Sequence, residues 1–134
     1  MLDIRKVTDD FAVAPQPAPS DLAAAAAAGF RRVVSNRPDG EEPGQPTAAE
    51  MARAAEAVGL DFVHIPIRGG PTPDQALASA QAAEGAPTLA FCRSGTRSIA
   101  AWSLGQAMEG TRPREQLIDL CAQAGYDMSG LLGG

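Results

Sequence analysis

Short runs of four to seven mostly apolar residues alternate along the chain with longer stretches in which alanine is mixed with charged residues. Phe11-Ala-Val-Ala14 is apolar throughout and stops at Pro15, which predicts a strand. Arg32–Ser35, Asp61–Ile67 and Thr88–Phe91 predict three more. Between these runs lie helix signals. Ser20 is placed to cap a helix that runs through the alanines and ends at Gly29. Alanine is the best helix former, so that run needs no special explanation. Thr47-Ala-Ala-Glu50 is a capping box opening a helix that closes at Gly59. Thr72-Pro-Asp-Gln75 is a second box, with Pro73 at the first helical position. A helix is expected from about Ser98 to Glu109, and another from Pro113 to near Gly125. Residues 127–134 read as one short turn and a frayed end.

Strand–helix alternation predicts an α/β fold: a central, mostly parallel sheet with helices on both faces. The 134 residues make a single domain, 1–134. In such sheets ligands bind outside the carboxyl ends of the strands. Loops 36–46, 68–72 and 92–98 should therefore meet at one edge.

Composition narrows the function. The chain holds 27 alanines, so a thin core with closely packed helices is expected. A net charge of −5 argues against a nucleic-acid partner, whose binding rests on basic patches. The charged start Met1–Asp10 has no apolar h-region, so no signal peptide is visible, and the small-apolar run Leu22–Ala28 is far short of the ~20 residues that span a bilayer. The expectation is a soluble, cytoplasmic protein with no membrane partner. Two cysteines spaced 29 apart make no disulfide framework, and free thiols suit a reducing compartment. One histidine and two cysteines build no zinc site, and no Gly-Lys-Ser/Thr phosphate loop is present. No metal and no cofactor are expected.

The chemistry concentrates in residues 88–105, TLAFCRSGTRSIAAWSLG. A buried strand delivers Cys92 to a tight loop, and the loop opens a helix. Backbone N–H groups from Arg93 through Ser94, Gly95 and Thr96 to Ser98 can curl toward one point, closed by the positive end of a helix dipole. Gly95 permits positive φ inside the curl. Arg93 and Arg97 add charge, and Arg97 offers a planar fork for an oxyanion. These features favour the thiolate of Cys92, which is the reactive nucleophile. Ser98 is placed to cap the helix or to donate to the sulfur. The plain alternative is a buried, inert cysteine beside surface arginines.

Other candidates are weaker. His64 points away from the face of Val63 and Ile65, where packing or hydrogen bonding is the commoner role. Arg37 and Arg68 follow strand ends and either line a substrate mouth or carry solvated charge. Asp39, Glu41, Glu42 and Asp74 are the carboxylates available as a general acid; Asp39-Gly40 is also a turn, and Asp74 also a helix-dipole partner. Cys121 has helical core spacing, and Trp102 packs the helix after the loop.

Cys92-Arg-Ser-Gly-Thr-Arg-Ser98 resembles two related signatures. One is the cysteine loop of protein tyrosine and dual-specificity phosphatases, in which Cys and Arg stand one position farther apart. The other is the rhodanese sulfurtransferase loop, Cys-Arg-x-Gly-x-Arg-Ser, which this sequence matches throughout. Phe11-Ala-Val-Ala-Pro-Gln16, Asn36-Arg-Pro-Asp-Gly-Glu41, His64-Ile-Pro66 and Phe91–Ser98 are together similar to a small bacterial family, the phosphatase-like domain of beta-lactamase-hydrolase-like proteins. It is also described as a sulfur-transferase family. Some relatives carry the domain fused to a metallo-hydrolase-like persulfide dioxygenase. The resemblance implies a tyrosine-phosphatase-like fold with Cys92, Arg97 and Ser98 catalytic and Arg93, Ser94, Gly95 and Thr96 holding an anion.

Loop size separates the two chemistries. Five Cα steps from Cys92 to Arg97 give ~19 Å of contour, against ~23 Å for six. A phosphoryl group needs room for three oxygens; a single sulfane sulfur needs less. The expectation is a sulfurtransferase acting through a Cys92 persulfide, with a small anionic sulfur donor and a thiol acceptor as partners. The alternatives are a phosphatase acting on a phosphoester with the same residues, and an inactive anion-binding module.

Overall fold

The computed structural model describes residues 2–133. Four of its strands fall where the apolar runs predict them: β2 (Phe11–Ala14), β3 (Arg32–Ser35), β4 (Asp61–His64) and β5 (Thr88–Phe91). A fifth, β1 (Arg5–Lys6), is exposed, too short and polar to signal itself, and pairs antiparallel with β2. The sheet order is β1-β2-β5-β3-β4, and every pair but the first is parallel. β5 is central, with β2 and β3 on either side. All four of its residues are buried.

The helices are α1 (Leu22–Ala27), α2 (Ala48–Ala57), α3 (Pro73–Ala82), α4 (Thr96–Glu109), α5 (Arg114–Gln123) and α6 (Ser129–Leu132). Period-two alternation in the central strands splits the core into two layers. Phe11, Val13, Val34 and Ala90 face Ile99, Trp102, Leu117 and Cys121 of α4 and α5. Ala12, Ala14, Val33, Leu89 and Phe91 face Leu22, Ala25, Met51 and Ala55 of α1 and α2. Phe11 and Trp102 stack with ring centroids 4.5 Å apart. Burying a side chain such as Ile99 or Leu117, both fully covered, contributes about 1.5–3 kcal/mol. The thin core takes its expected form where α3 meets α4: a Cβ on Gly105 would collide with the backbone of Ala76 and the side chain of Ala80. Among the described residues no helix is long and apolar enough to cross a membrane.

Both capping boxes form, with Glu50 N–H donating to Thr47 Oγ1 at 3.1 Å and Gln75 N–H to Thr72 Oγ1 at 3.2 Å. Three local expectations change. Ser20 does not cap α1; a 3₁₀ turn over Pro19–Asp21 precedes the helix, and Asp21 accepts from the Ala18 N–H at 2.9 Å. The strand expected over residues 61–67 ends at His64. Ile65 N–H still bonds Ser35 O, but the next rung slips, and Ile67 N–H bonds Asn36 O at 3.0 Å. Pro66, which has no N–H, lies in that slip. Helix α4 begins at Thr96, not Ser98, because Gly95 takes the cap position at φ +93°.

Candidate active site

The carboxyl end of β5 is the centre of the site. Phe91 O accepts from the Asn36 N–H at 2.8 Å, which ties the start of the 36–46 loop to the strand that delivers Cys92. Asn36 is fully buried, and its Nδ2 donates to Ile65 O at 3.0 Å and to Ser79 Oγ at 3.3 Å. These bonds fix the floor on which the cysteine loop sits.

Cys92 is 1% exposed. The Gly95 N–H donates to its Sγ at 3.1 Å. The carbonyl of the same peptide unit, Ser94 O, accepts from the Tyr126 hydroxyl at 2.8 Å. Tyr126 therefore holds the unit with its N–H toward the sulfur. A Cβ on Gly95 would strike Tyr126 Oη and have to displace it, and the φ of +93° strains any other residue there. Burial pushes the Tyr126 hydroxyl above its ordinary pKa; nearby Arg5 opposes the rise and the Cys92 sulfur adds to it.

The expected ring of amides is only partly turned to the sulfur. Thr96 N–H donates to Ser94 Oγ at 3.4 Å instead, and Ser94 Oγ and Thr96 Oγ1 lie 3.0 Å apart. Ser98 stands at the third position of α4, too deep to cap it. Its hydroxyl is buried without a hydrogen-bond partner among the described residues, so it makes neither of its expected bonds.

Arg97 is held at its far end. Its Nη1 donates to Ile67 O at 2.7 Å and to Glu41 Oε2 at 2.8 Å, and its Nη2 donates to Glu41 Oε1 at 2.8 Å. Loops 36–46 and 92–98 thus meet through Glu41 and Arg97, and the third partner is Ile67, one residue before the 68–72 loop expected there. The Glu41 hydrogen bonds raise the Arg97 pKa further, with burial opposing and the Cys92 sulfur adding to the rise. In turn Arg97, with Arg37 behind it, holds the Glu41 carboxyl down at about 2, against burial.

Arg37 is neither of the things expected of it. It is 4% exposed and lies inside the rim. Its Nε meets Glu41 Oε1 at 3.0 Å, its Nη1 meets Gln16 Oε1 at 3.1 Å, and its Nη2 meets Glu42 Oε1 at 2.6 Å. Glu42 also reaches Arg93 Nε at 3.3 Å. The result is a ladder, Arg93–Glu42–Arg37–Glu41–Arg97. Gln16, from the proline-rich turn after β2, also bonds Arg93 O through its N–H at 3.2 Å. Neither Gln16 nor Tyr126 stands out in the sequence, although the bend of Pro15, Pro17 and Pro19 marks a rigid turn at that edge.

The remaining candidates separate. His64 Nε2 lies 2.9 Å from Arg37 O, the carbonyl left free by the β4 slip, and serves as a hydrogen-bonding residue. Asp39 accepts from the Ala48 N–H at 2.8 Å and so braces the start of α2. Asp74 is exposed in the first turn of α3, and Arg68 is exposed. Cys121 is a core thiol, fully buried, and burial pushes its pKa up to about 11. Among the described residues no group of His, Cys, Asp and Glu is arranged to hold a metal ion.

Known proteins share this arrangement of chain. The family model for the phosphatase-like domain of the beta-lactamase hydrolase-like protein matches residues 3–109. The chain belongs to this family. A beta-lactamase hydrolase-like protein of Agrobacterium fabrum (strain C58) is 34% identical over 127 residues, which cover 92% of this chain and 29% of that protein. The phosphatase-like domain thus spans under a third of the length of the curated relatives it matches. A crystal structure of a candidate phosphatase from Neisseria meningitidis Z2491 superimposes with a TM-score of 0.83 at 29% identity, over 97% of this chain and 94% of that one. Tk-PTP in its active form gives 0.68 at 23% identity, over 92% and 86%, a likeness of fold. The fold of this phosphatase-like domain is that of the protein tyrosine phosphatases.

Proposed function

We propose that this phosphatase-like domain is a cysteine-dependent sulfurtransferase. Cys92 thiolate attacks the outer sulfur of a sulfane donor such as thiosulfate or an alkyl persulfide. A new S–S bond forms to Cys92, the donor's S–S bond breaks, and sulfite or a thiolate leaves with the electron pair. The Cys92 persulfide then passes its outer sulfur to an acceptor thiolate. Gly95 N–H, Arg97 and Arg93 stabilise the negative charge on the loop, and the buried Ser98 hydroxyl is available to the outer sulfur. Two free thiols suit a reducing compartment, the cytoplasm.

The state of the rim carboxylates carries this reading. A phosphatase of this kind protonates its leaving oxygen with a carboxylic acid. Glu41, which sits on Arg97, is held ionised down to about 2 and has no proton to give at neutral pH. Asp39 is engaged at the start of α2, and Glu42 lies between Arg37 and Arg93. Sulfite and thiolates leave without such an acid. The short span from Cys92 to Arg97 favours a single sulfur in the same direction.

The family description and the tyrosine-phosphatase-like neighbours support a phosphoester hydrolase at least as well. In that reading Cys92 forms a phosphocysteine, and exposed Asp74 is the carboxylate left to act as acid. The experiment is turnover of thiosulfate or a persulfide with cyanide as acceptor, beside turnover of an aryl phosphate. Thiocyanate release that Cys92→Ser abolishes is the expected result. Phosphate release without thiocyanate overturns it in favour of the hydrolase. Anion binding with turnover of neither makes the domain an inactive module.

A further inference from the structure

We infer that Glu41 and Glu42 set the charge of the sulfur donor, so that the site takes donors with at most one negative charge at the sulfane group, thiosulfonates and organic persulfides, over dianionic thiosulfate. The inference rests on the sulfurtransferase reading and deepens it.

Five charges stand in one ladder that begins and ends on the cysteine loop. Three guanidinium groups alternate with two carboxylates, at 2.6–3.3 Å in every link, and Arg93 and Arg97 belong to the loop itself. The sum is one positive charge, and it is zero once Cys92 is a thiolate. A monoanionic donor then brings the approaching pair to one negative charge. A dianion brings it to two, in a setting where Arg37 is almost fully buried and Arg97 and Glu41 are largely covered. Partly buried like charges are poorly screened, so the second charge is disfavoured.

Hydrogen-bonding capacity points the same way. Arg97 spends both terminal nitrogens on Glu41 and one of them also on Ile67 O. The paired edge that would grip a trianionic or dianionic oxyanion is occupied by a carboxylate of the chain itself. A donor can use it only by displacing Glu41, which Arg37 holds from the other side at 3.0 Å. A donor that needs a single stabilising contact at its leaving atom does not require that exchange.

Methanethiosulfonate and thiosulfate test this directly, because a methyl group replaces one charged oxygen on an otherwise similar tetrahedral sulfur. In both, the S–S bond breaks as the Cys92 persulfide forms; methanesulfinate leaves in one case and sulfite in the other. Thiocyanate formation is measured with each donor, and kcat/KM is divided by the donor's uncatalysed rate with cyanide. The wild-type ratio should favour methanethiosulfonate. Glu41→Gln should move the ratio toward thiosulfate by about tenfold or more, and the more exposed Glu42→Gln, which spares the Arg97 clamp, should move it the same way by a smaller factor. A wild-type preference for thiosulfate, or ratios unchanged in both variants, overturns the inference while leaving the sulfurtransferase reading intact. Absence of thiocyanate from both donors in the wild type overturns that reading itself.

Discussion

Tyr126 reaches across from the segment between α5 and α6 to donate to Ser94 O at 2.8 Å, on the peptide whose N–H meets the sulfur of Cys92 at 3.1 Å. One hydroxyl thus fixes the direction of a backbone dipole at the nucleophile. A preorganised donor of this kind need not be reoriented as charge moves onto or off the sulfur. Tyr126→Phe removes the hydroxyl and leaves the ring. The expected result is a fall in turnover of about tenfold, roughly 1.4 kcal/mol of barrier, with little change in thermal midpoint. An unchanged rate would show that the loop holds this peptide without help.

Gly95→Ala is the stronger insult. The new methyl would meet Tyr126 Oη, and the residue would have to keep a φ of +93°. Strain of ~1–3 kcal/mol is expected, together with loss of the 3.1 Å contact as the peptide turns. Activity should fall at least a hundredfold while circular dichroism still shows the helices. Normal activity in this variant would contradict the role given to the Gly95 amide.

The Glu41–Arg97 pair links the site to acid stability. The Glu41 carboxyl is lowered in the folded chain from 4.5 to about 2. Its contribution is therefore complete above the unfolded value and is lost as pH falls toward the folded one. Urea melts of the wild type should lose on the order of 1–2 kcal/mol between about pH 4.5 and 2 beyond what Glu41→Gln loses, once solvent screening is allowed for. Parallel curves for the two proteins would mean that the pair adds nothing to folding.

Sequence and structure agree best where a local signal has a single physical reading. The buried runs 11–14, 32–35 and 88–91 become strands at those bounds, and the Thr47 and Thr72 boxes open helices because side-chain caps act within one turn. Cys92 falls at the end of the central strand because the run Leu89-Ala-Phe91, opened by the β-branched Thr88, is buried throughout and stops at the cysteine. The site's supports were not legible in the same way. Arg37 and Glu41 sit in a polar loop whose composition equally suits solvent, and only the return of Arg97 from 56 positions away turns them into a ladder with Arg37 buried inside it. Tyr126 lies just past the expected helix end at Gly125, where no pattern marks it, 32 positions from the carbonyl it serves. Such contacts come from how the layers close, and no short-range pattern encodes them. Ser98 shows the converse: its spacing suggested a cap, but Gly95 begins the helix earlier.

The two thiols should behave differently in the native protein. Cys121 is fully buried among α4, α5 and α6 residues with a pKa near 11. Iodoacetamide at neutral pH should leave it unmodified until the chain unfolds, because thiolate and access are both needed for reaction. Cys92 is almost as well covered, at 1%, but it lies beneath the exposed loop residues Arg93 and Ser94 and not in the helix core, so it should be the labelled residue, with slower labelling in the presence of a bound anion. Equal labelling of both would mean that the loop gives Cys92 no special reactivity.

The central claim is that Cys92 carries a sulfur atom between donor and acceptor, and peptide mass measurement tests it most directly. After incubation with a sulfane donor, the peptide containing Cys92 should gain one sulfur, ~32 Da, in a form that cyanide or a thiol reductant removes, since a persulfide exchanges and a twice-oxygenated cysteine does not. The Cys121 peptide should stay unchanged. A Cys92 peptide that never takes up reducible sulfur, and instead traps a phosphoryl group from an aryl phosphate, would contradict the account.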